Sequence, residues 1–346
     1  MPTNTKALQV AEPVSTMAGK NAIINGAMDF WQRGTTAAVA TNNYIADRWA
    51  MNRGSYNSGS TVSRQLTNDL VNLPNFQYCA RVQRDSGNTL TSSLNLWQAL
   101  ENVNTLAFIG KTFTVSFYAR AGANYSSTSS LLNCVIYGGT GVDQGLNSMT
   151  GITDIANRNG AITTTWQRYS FTGTMASSFA QLALVFSYSP TGTAGANDYF
   201  EVTGVQLELG SVATPFSRAG GTIQGELAAC QRYYYRQNWQ ATTSYAIFGT
   251  GAGNSTTQVR TDHVFPVPLR TAPSAIEYPT IGTSFTILKY DDTTAGTITA
   301  TSNDGNISTP NMGRLNWTVN AAVVNVPYYV RGNNNSSVYI GWSAEL

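Results

Sequence analysis

Residues 111–120 read Lys111-Thr112-Phe113-Thr114-Val115-Ser116-Phe117-Tyr118-Ala119-Arg120. Phe113, Val115, Phe117 and Ala119 occupy every second position, with Thr112, Thr114, Ser116 and Tyr118 between them. Successive side chains of a strand point to opposite faces, so a period of two makes one face of this segment core. The same alternation returns in Val205-Gln206-Leu207-Glu208-Leu209, within a strand expected from Tyr199 to Leu209. Leu131 to Tyr137, Trp166 to Phe171 and Gln181 to Tyr188 read as further strands, so antiparallel strands are expected to pack as a sandwich from Asn21 onward. Between them, Gly122 to Ser130, Gly138 to Gly160 and Ser189 to Asn197 are rich in Gly, Ser, Thr and Asn and read as long loops.

Composition agrees with an all-β reading. Only 11% of the 346 residues are charged, against the roughly 25% usual in globular chains. Polarity comes from Asn, Ser, Thr, Gln and 31 Gly. Such a mixture disfavours long surface helices and suits short strands joined by tight turns. Twenty basic against eighteen acidic residues leave +2, too little to mark nucleic acid or an anionic membrane as the partner. Cys79, Cys134 and Cys230 are far apart in sequence, form no C-x-x-C, and read as buried thiols rather than a disulfide framework.

The expected organisation has three parts. Residues 1–20 carry Pro2 and Pro13 and no apolar periodicity, and read as an extended arm that orders against a neighbour; no segment there resembles a signal peptide or a membrane span. Residues 21–220 form the sandwich. Gly220-Gly221 is the hinge to a smaller β domain, 221–346, which starts with a short helix at 225–235. Its strands are expected near Tyr245–Gly249, Gln258–Val267, Phe285–Tyr290, Leu315–Val319, Ala322–Val330 and Val338–Trp342, with Pro266, Pro268, Pro273, Pro279, Pro310 and Pro327 confining several to edges.

Several strings, in order, resemble a widespread family of tailed-bacteriophage fibre proteins. They are Asn21-Ala-Ile-Ile-Asn25-Gly26, Phe30-Trp31-Gln32-Arg33-Gly34-Thr35, Tyr44-Ile-Ala-Asp47-Arg48-Trp49, Gln98-Ala-Leu-Glu101-Asn102, Gly110-Lys-Thr-Phe-Thr-Val-Ser-Phe-Tyr-Ala119-Arg120, Trp166-Gln-Arg-Tyr169, Val205-Gln206-Leu-Glu208-Leu-Gly210, Ala213-Thr214-Pro-Phe216 and Glu226-Leu-Ala-Ala-Cys230-Gln231-Arg232-Tyr233-Tyr234. Together they cover roughly residues 21–235. The middle strings look like jelly-roll carbohydrate-binding modules, which implies a two-sheet sandwich. The terminal Ala344-Glu345-Leu346 and Phe265-Pro-Val-Pro-Leu-Arg270-Thr-Ala-Pro273 resemble the distal domain of the same proteins. The resemblance implies a homotrimeric virion protein on the tail or another particle surface, assembled in the bacterial cytoplasm. The arm would then dock on other virion proteins, and the distal domain would meet a host-surface glycan. Two alternatives stay open: a capsid or baseplate decoration protein that binds no glycan, and a polysaccharide depolymerase. The second is disfavoured because the sequence has no fixed-period repeat and no recognisable acid pair.

Residue by residue, the reading favours binding over catalysis, and no cofactor. His263 is the single histidine and lies in a strand pattern, so a Ser-His-Asp site or a two-histidine zinc site is not expected. Asp291-Asp292 carries a turn signature, and Glu101, Glu201 and Glu208 read as strand residues available for salt bridges. A structural Ca²⁺ is compatible with a sandwich of this kind, with no ligand set assignable. Trp31, Arg33, Asp47, Arg48 and Trp49 read as closing one end of a core, an Asp-Arg pair fixing the loop. The candidate receptor or interface contacts are Trp239, Tyr245, Trp317, Tyr328, Tyr329, Tyr339 and Trp342, because aromatic faces stack on sugar rings and on subunit neighbours alike.

Overall fold

The computed structural model describes residues 19–38, 43–56, 58–238, 245–293 and 296–346. The arm expected at 1–20 therefore lies almost wholly outside the described residues. In chain order the strands are β1 (Thr36–Ala38), β2 (Asn43–Tyr44), β3 (Ala50–Asn52), β4 (Ser60–Leu66), β5 (Tyr78–Arg84), β6 (Leu94–Ala99), β7 (Thr112–Ala121), β8 (Leu131–Gly139), β9 (Thr153–Ala161), β10 (Gln167–Thr174), β11 (Gln181–Tyr188), β12 (Tyr199–Leu209), β13 (Tyr234–Asn238), β14 (Ile247–Ser255), β15 (Gln258–Val264), β16 (Ala275–Glu277), β17 (Phe285–Lys289), β18 (Ile298–Asn303), β19 (Met312–Val319), β20 (Pro327–Gly332) and β21 (Tyr339–Ser343). The fold is all-β. Among the described residues no helix is long and apolar enough to cross a membrane.

Two compact units divide the chain. The first holds the chain up to Asp29, Asn52–Thr61 and Gln65–Glu226; the second holds Phe30–Met51, Val62–Arg64 and Leu227–Leu346. The division is thus discontinuous, and the Trp31–Trp49 motif groups with the C-terminal residues.

In the first unit β5, β12, β7 and β10 are successive neighbours in one sheet, and β6, β11, β8 and β9 in another. The chain changes sheet at nearly every connection, the wiring of a jelly-roll sandwich. Phe113, Val115, Phe117 and Ala119 are all buried, and Phe117 meets Phe186 of the opposite sheet at 4.9 Å between ring centroids. The second face of β7 is not simply solvated. Thr114 and Ser116 are buried too, and Ala27, Leu73, Phe76, Cys79 and Trp166 form a smaller apolar cluster joined by Tyr118 and Phe216. β12 slips register between Thr203 and Gln206, where Gly204 sits at φ +60° with the Phe76 ring 2.7 Å from where a Cβ would lie. Only glycine meets both demands of that bulge.

The expected loop 138–160 is corrected in part: it contains β9, paired along β8 from Leu131↔Ala161 to Gly138↔Thr153. β9 is the end strand of its sheet, so its sequence, Thr-Asp-Ile-Ala-Asn-Arg-Asn-Gly-Ala, carries little apolar periodicity.

In the second unit β17-β20-β14-β15-β19-β18 form a six-stranded sheet and β13-β21-β16 a three-stranded one. Their shared core includes Phe248, Leu315, Trp317, Tyr328, Val330, Ile340 and Trp342. Trp342 of β21 stands 5.3 Å from His263 and 5.4 Å from Phe265, ring to ring. The helix expected at 225–235 runs instead from Ile223 to Gln231. It stops because the next residues are claimed by a sheet: β13 pairs with β21 from Tyr234↔Ser343, and Ala344 N donates to Tyr233 O.

Candidate functional site

β20 sets the geometry of the candidate site. Along Pro327-Tyr328-Tyr329-Val330-Arg331-Gly332, Tyr328 and Val330 enter the core, while Tyr329 and Arg331 point to the other face of the six-stranded sheet. Register continues that face across neighbouring strands. Arg331 lies between Thr286 and Ile247; Tyr329 lies between Leu288 and Thr250, and the row continues to Asp262 and Arg314. The next row runs Pro327, Ala252, Arg260, Asn316 and Ser302. Thr250, Ala252, Asp262 and Ser302 are exposed, and Val264 is 78% exposed, so this face is open to solvent.

Its aromatic groups gather on the β17–β20–β14 side. Tyr245 is 50% exposed and Tyr290 is 64% exposed. The Arg331 guanidinium carbon sits 4.7 Å from the Tyr245 ring centroid, and the Tyr290 and Tyr329 rings meet edge to face at 6.0 Å. Tyr329 donates its hydroxyl to Asp292. Farther across, Arg314 grips Asp262 with two bonds of 2.6 and 2.8 Å, which holds the Asp262 carboxyl below the usual range. Arg260 Nε donates to Asn316 Oδ1 at 3.1 Å. Tyrosine faces beside guanidinium and amide groups provide both the apolar platform and the directed hydrogen bonds that a saccharide needs.

The seven sequence candidates separate clearly. Tyr245 and Tyr329 lie on the open face. Trp317, Tyr328 and Trp342 are fully buried in the core and offer no surface to a ligand, a correction whose physical reason is strand parity. Tyr339 is on the three-stranded sheet, with the Arg236 guanidinium 3.5 Å from its ring centroid. Trp239 lies outside the described residues. Sequence reading missed Arg260, Tyr290, Arg314, Asn316 and Arg331; the signal available for Arg331 was its i+2 spacing from Tyr329 on one strand.

The titratable residues weighed in the sequence are held by local partners. His263 is buried, with Nε2 2.9 Å from Thr261 Oγ1 and Nδ1 3.1 Å from Gln237 Oε1. Trp317 Nε1 donates to the same threonine oxygen at 2.9 Å, and burial pushes the imidazole down to about 4. Glu201 accepts from Arg81 and Arg120, as salt-bridge partners do. Glu208 instead accepts from Thr214 N and Oγ1, and Glu101 precedes a short helix rather than lying in a strand. Asp291 closes a turn by accepting from Thr293 N at 3.0 Å. Among the described residues no group of three or more His, Cys, Asp or Glu is placed to hold a metal ion.

The Trp31–Trp49 motif forms a buried ionic cluster within the second unit. Asp47 accepts from Gln32 N at 2.9 Å and Nε2 at 2.7 Å, and desolvation pushes its carboxyl up to about 6. The carboxylate that both motif arginines reach is Glu345: Arg48 pairs with it, and so does Arg33 at 3.3 Å. Arg33 lies 3.4 Å over the Tyr234 ring and Arg48 3.6 Å over Tyr233. Trp31 and Trp49 are buried as expected, but the motif groups with the second unit rather than with the sandwich, and the ion pairs of Arg33 and Arg48 are with Glu345.

The first unit offers a second, more polar surface. Asn95, Ser187, Asn133 and Asn159 occupy one row across β6, β11, β8 and β9, on the side away from the sandwich core. On the same side the next row is Trp97, Val185 and Val135, all buried, with Tyr137 one row further, and Asn133 Oδ1 is buried without a hydrogen-bond partner.

No protein-family model and no curated protein matches the chain. Solved structures similar to it include a family 4 carbohydrate-binding module (17% identity, TM-score 0.35), covering 54% of this chain and 98% of that one. The CBM22-1 xylan-binding domain of Paenibacillus barcinonensis Xyn10C is 13% identical with a TM-score of 0.35, over 57% of this chain and 98% of its own. The enzymatically active domain of bacteriophage CBA120 tailspike protein 4 is 14% identical with a TM-score of 0.34; the match covers 55% of this chain and 21% of the tailspike chain. At these scores the likenesses carry no inference about ligand or activity here.

Proposed function

We propose that this chain is a non-enzymatic fibre subunit of a tailed-phage virion, trimeric on the particle, whose second unit recognises a host-surface glycan through the open face of its six-stranded sheet. One observation carries the glycan reading: Tyr245, Tyr290 and Tyr329 are displayed on one solvent-facing surface together with Arg331, Arg260 and Asn316. Rings on such a face stack on sugar C–H faces while the amide and guanidinium groups meet hydroxyls. The virion assignment rests on the ordered motifs between Asn21 and Tyr234. In this reading the arm at 1–20 attaches to other virion proteins, and three copies multiply weak contacts on a repetitive polysaccharide.

The test is adsorption of the fluorescently labelled full chain to a panel of bacterial strains, before and after periodate cleavage of surface-sugar diols. Strain-selective binding that disappears after periodate supports the proposal. Binding that survives periodate and is abolished by protease treatment of the cells, or no binding to any strain, overturns it.

A further inference from the structure

The open face carries more guanidiniums than are held by carboxylates. It presents three guanidiniums, Arg260, Arg314 and Arg331. Of its carboxylates, Asp262 holds Arg314 with two bonds, whereas Asp292 accepts from the neutral Tyr329 hydroxyl and keeps its charge. Arg260 and Arg331 are left without a carboxylate partner among the described residues. Arg260 donates to the neutral Asn316 amide. Arg331 is the more telling of the two. Its Nε–H is buried with no acceptor among the described residues, and its guanidinium lies over the Tyr245 ring.

A half-buried guanidinium without a counter-anion is an unfavourable arrangement that an anionic ligand group relieves. Arg331 is flanked on its row by Thr286 and the exposed Ile247, with Tyr329 two residues before it on the same face, so an anionic group meeting its guanidinium does so on the face that carries Tyr245 and Tyr329. Resting on the glycan reading above, we infer that the ligand is an acidic saccharide, its carboxylate seated on Arg331 and its ring on the neighbouring tyrosines. The inference concerns the class of sugar, which the tyrosines alone leave open.

The experiment uses the full chain and a panel of bacterial capsular polysaccharides immobilised in two forms: native, and with carboxyl groups reduced to primary alcohols. Binding is followed by interferometry. At least one acidic polysaccharide should be bound, with affinity falling about tenfold or more on carboxyl reduction and equally on Arg331→Gln, while Arg331→Lys keeps most of it. Binding of the native form should weaken with added salt, and that of the reduced form should not. Thermal midpoints of the variants identify any loss due to misfolding. If reduced and native forms bind alike, or Arg331→Gln binds as the parent does, the acidic assignment fails while sugar recognition stands. If no polysaccharide of either form binds, the glycan reading itself fails.

Discussion

Arg48 and Glu345, 297 positions apart in the chain, form an ion pair in which the arginine side chain is 1% exposed and the glutamate 5% exposed. The carboxylate also meets Arg33, and each guanidinium lies over one of two consecutive tyrosines, Tyr233 and Tyr234. Removing one member of a buried pair strands the other charge in a low-dielectric site, at a cost of about 3–5 kcal/mol. Glu345→Ala is therefore expected to lower unfolding stability by that order, measured by denaturant titration of the full chain. A change below about 1 kcal/mol, the range of an exposed ion pair, would show that the cluster is solvated.

His263 gives the second unit an acid-sensitive step. Its imidazole is held neutral down to about pH 4, whereas in an unfolded chain it protonates near 6.5. The unfolded state thus takes up a proton as pH falls below about 6.5 and the folded state does not. Its contribution is complete above that pH and declines by roughly 3 kcal/mol as pH falls to 4. Asp47 has the opposite sign: its carboxyl is raised to about 6, so its burial grows costlier as pH rises from about 4 to 6. His263→Gln, which retains hydrogen-bonding groups but cannot titrate, isolates the first effect. Its denaturation midpoints should fall less steeply than the parent's between pH 6.5 and 4; parallel profiles would refute the assignment.

Asn133 offers a test of whether a residue is kept for stability. Its Oδ1 is buried in a strand without a partner, an arrangement that costs about 1–3 kcal/mol. Asn133→Val, similar in size and suited to a strand, is expected to raise the unfolding stability of the first unit by about 1 kcal/mol. A lower stability would mean that the amide is satisfied in solution.

The three cysteines are all buried and unpaired by disulfides. Burial pushes the Cys79 and Cys134 thiols well above their ordinary range, so little thiolate forms at neutral pH. Native protein should react with a thiol reagent such as dithionitrobenzoate only after denaturation, when three equivalents titrate. Rapid labelling of the folded chain would contradict this.

The sandwich was largely legible in the sequence because its inner strands obey a period of two. β11 and β12 have the very bounds that the apolar runs mark, and β7, β8 and β10 differ from expectation by a few residues. What stayed hidden has local causes. β9, β16 and β18 are at the ends of their sheets and need only one well-covered side, so Thr153–Ala161, Ala275–Glu277 and Ile298–Asn303 lack an apolar signature. The site was half legible. Tyr328 and Tyr329 look alike in sequence, yet one fills the core and the other faces solvent, because parity is fixed by pairing with Leu288 and Thr250 and not by composition. The Arg48–Glu345 link joins distant segments and has no local signal at all.

The central claim, that the open face around Tyr245, Tyr329 and Arg331 receives the sugar, is tested most directly by hydrogen–deuterium exchange of the full chain with and without the polysaccharide selected from the strain panel. The account predicts ligand-dependent protection concentrated in β14, β17 and β20, lost in a Tyr245→Ala/Tyr329→Ala double variant. Protection confined to β6, β8, β9 and β11 of the first unit, with β14, β17 and β20 unchanged, would contradict it.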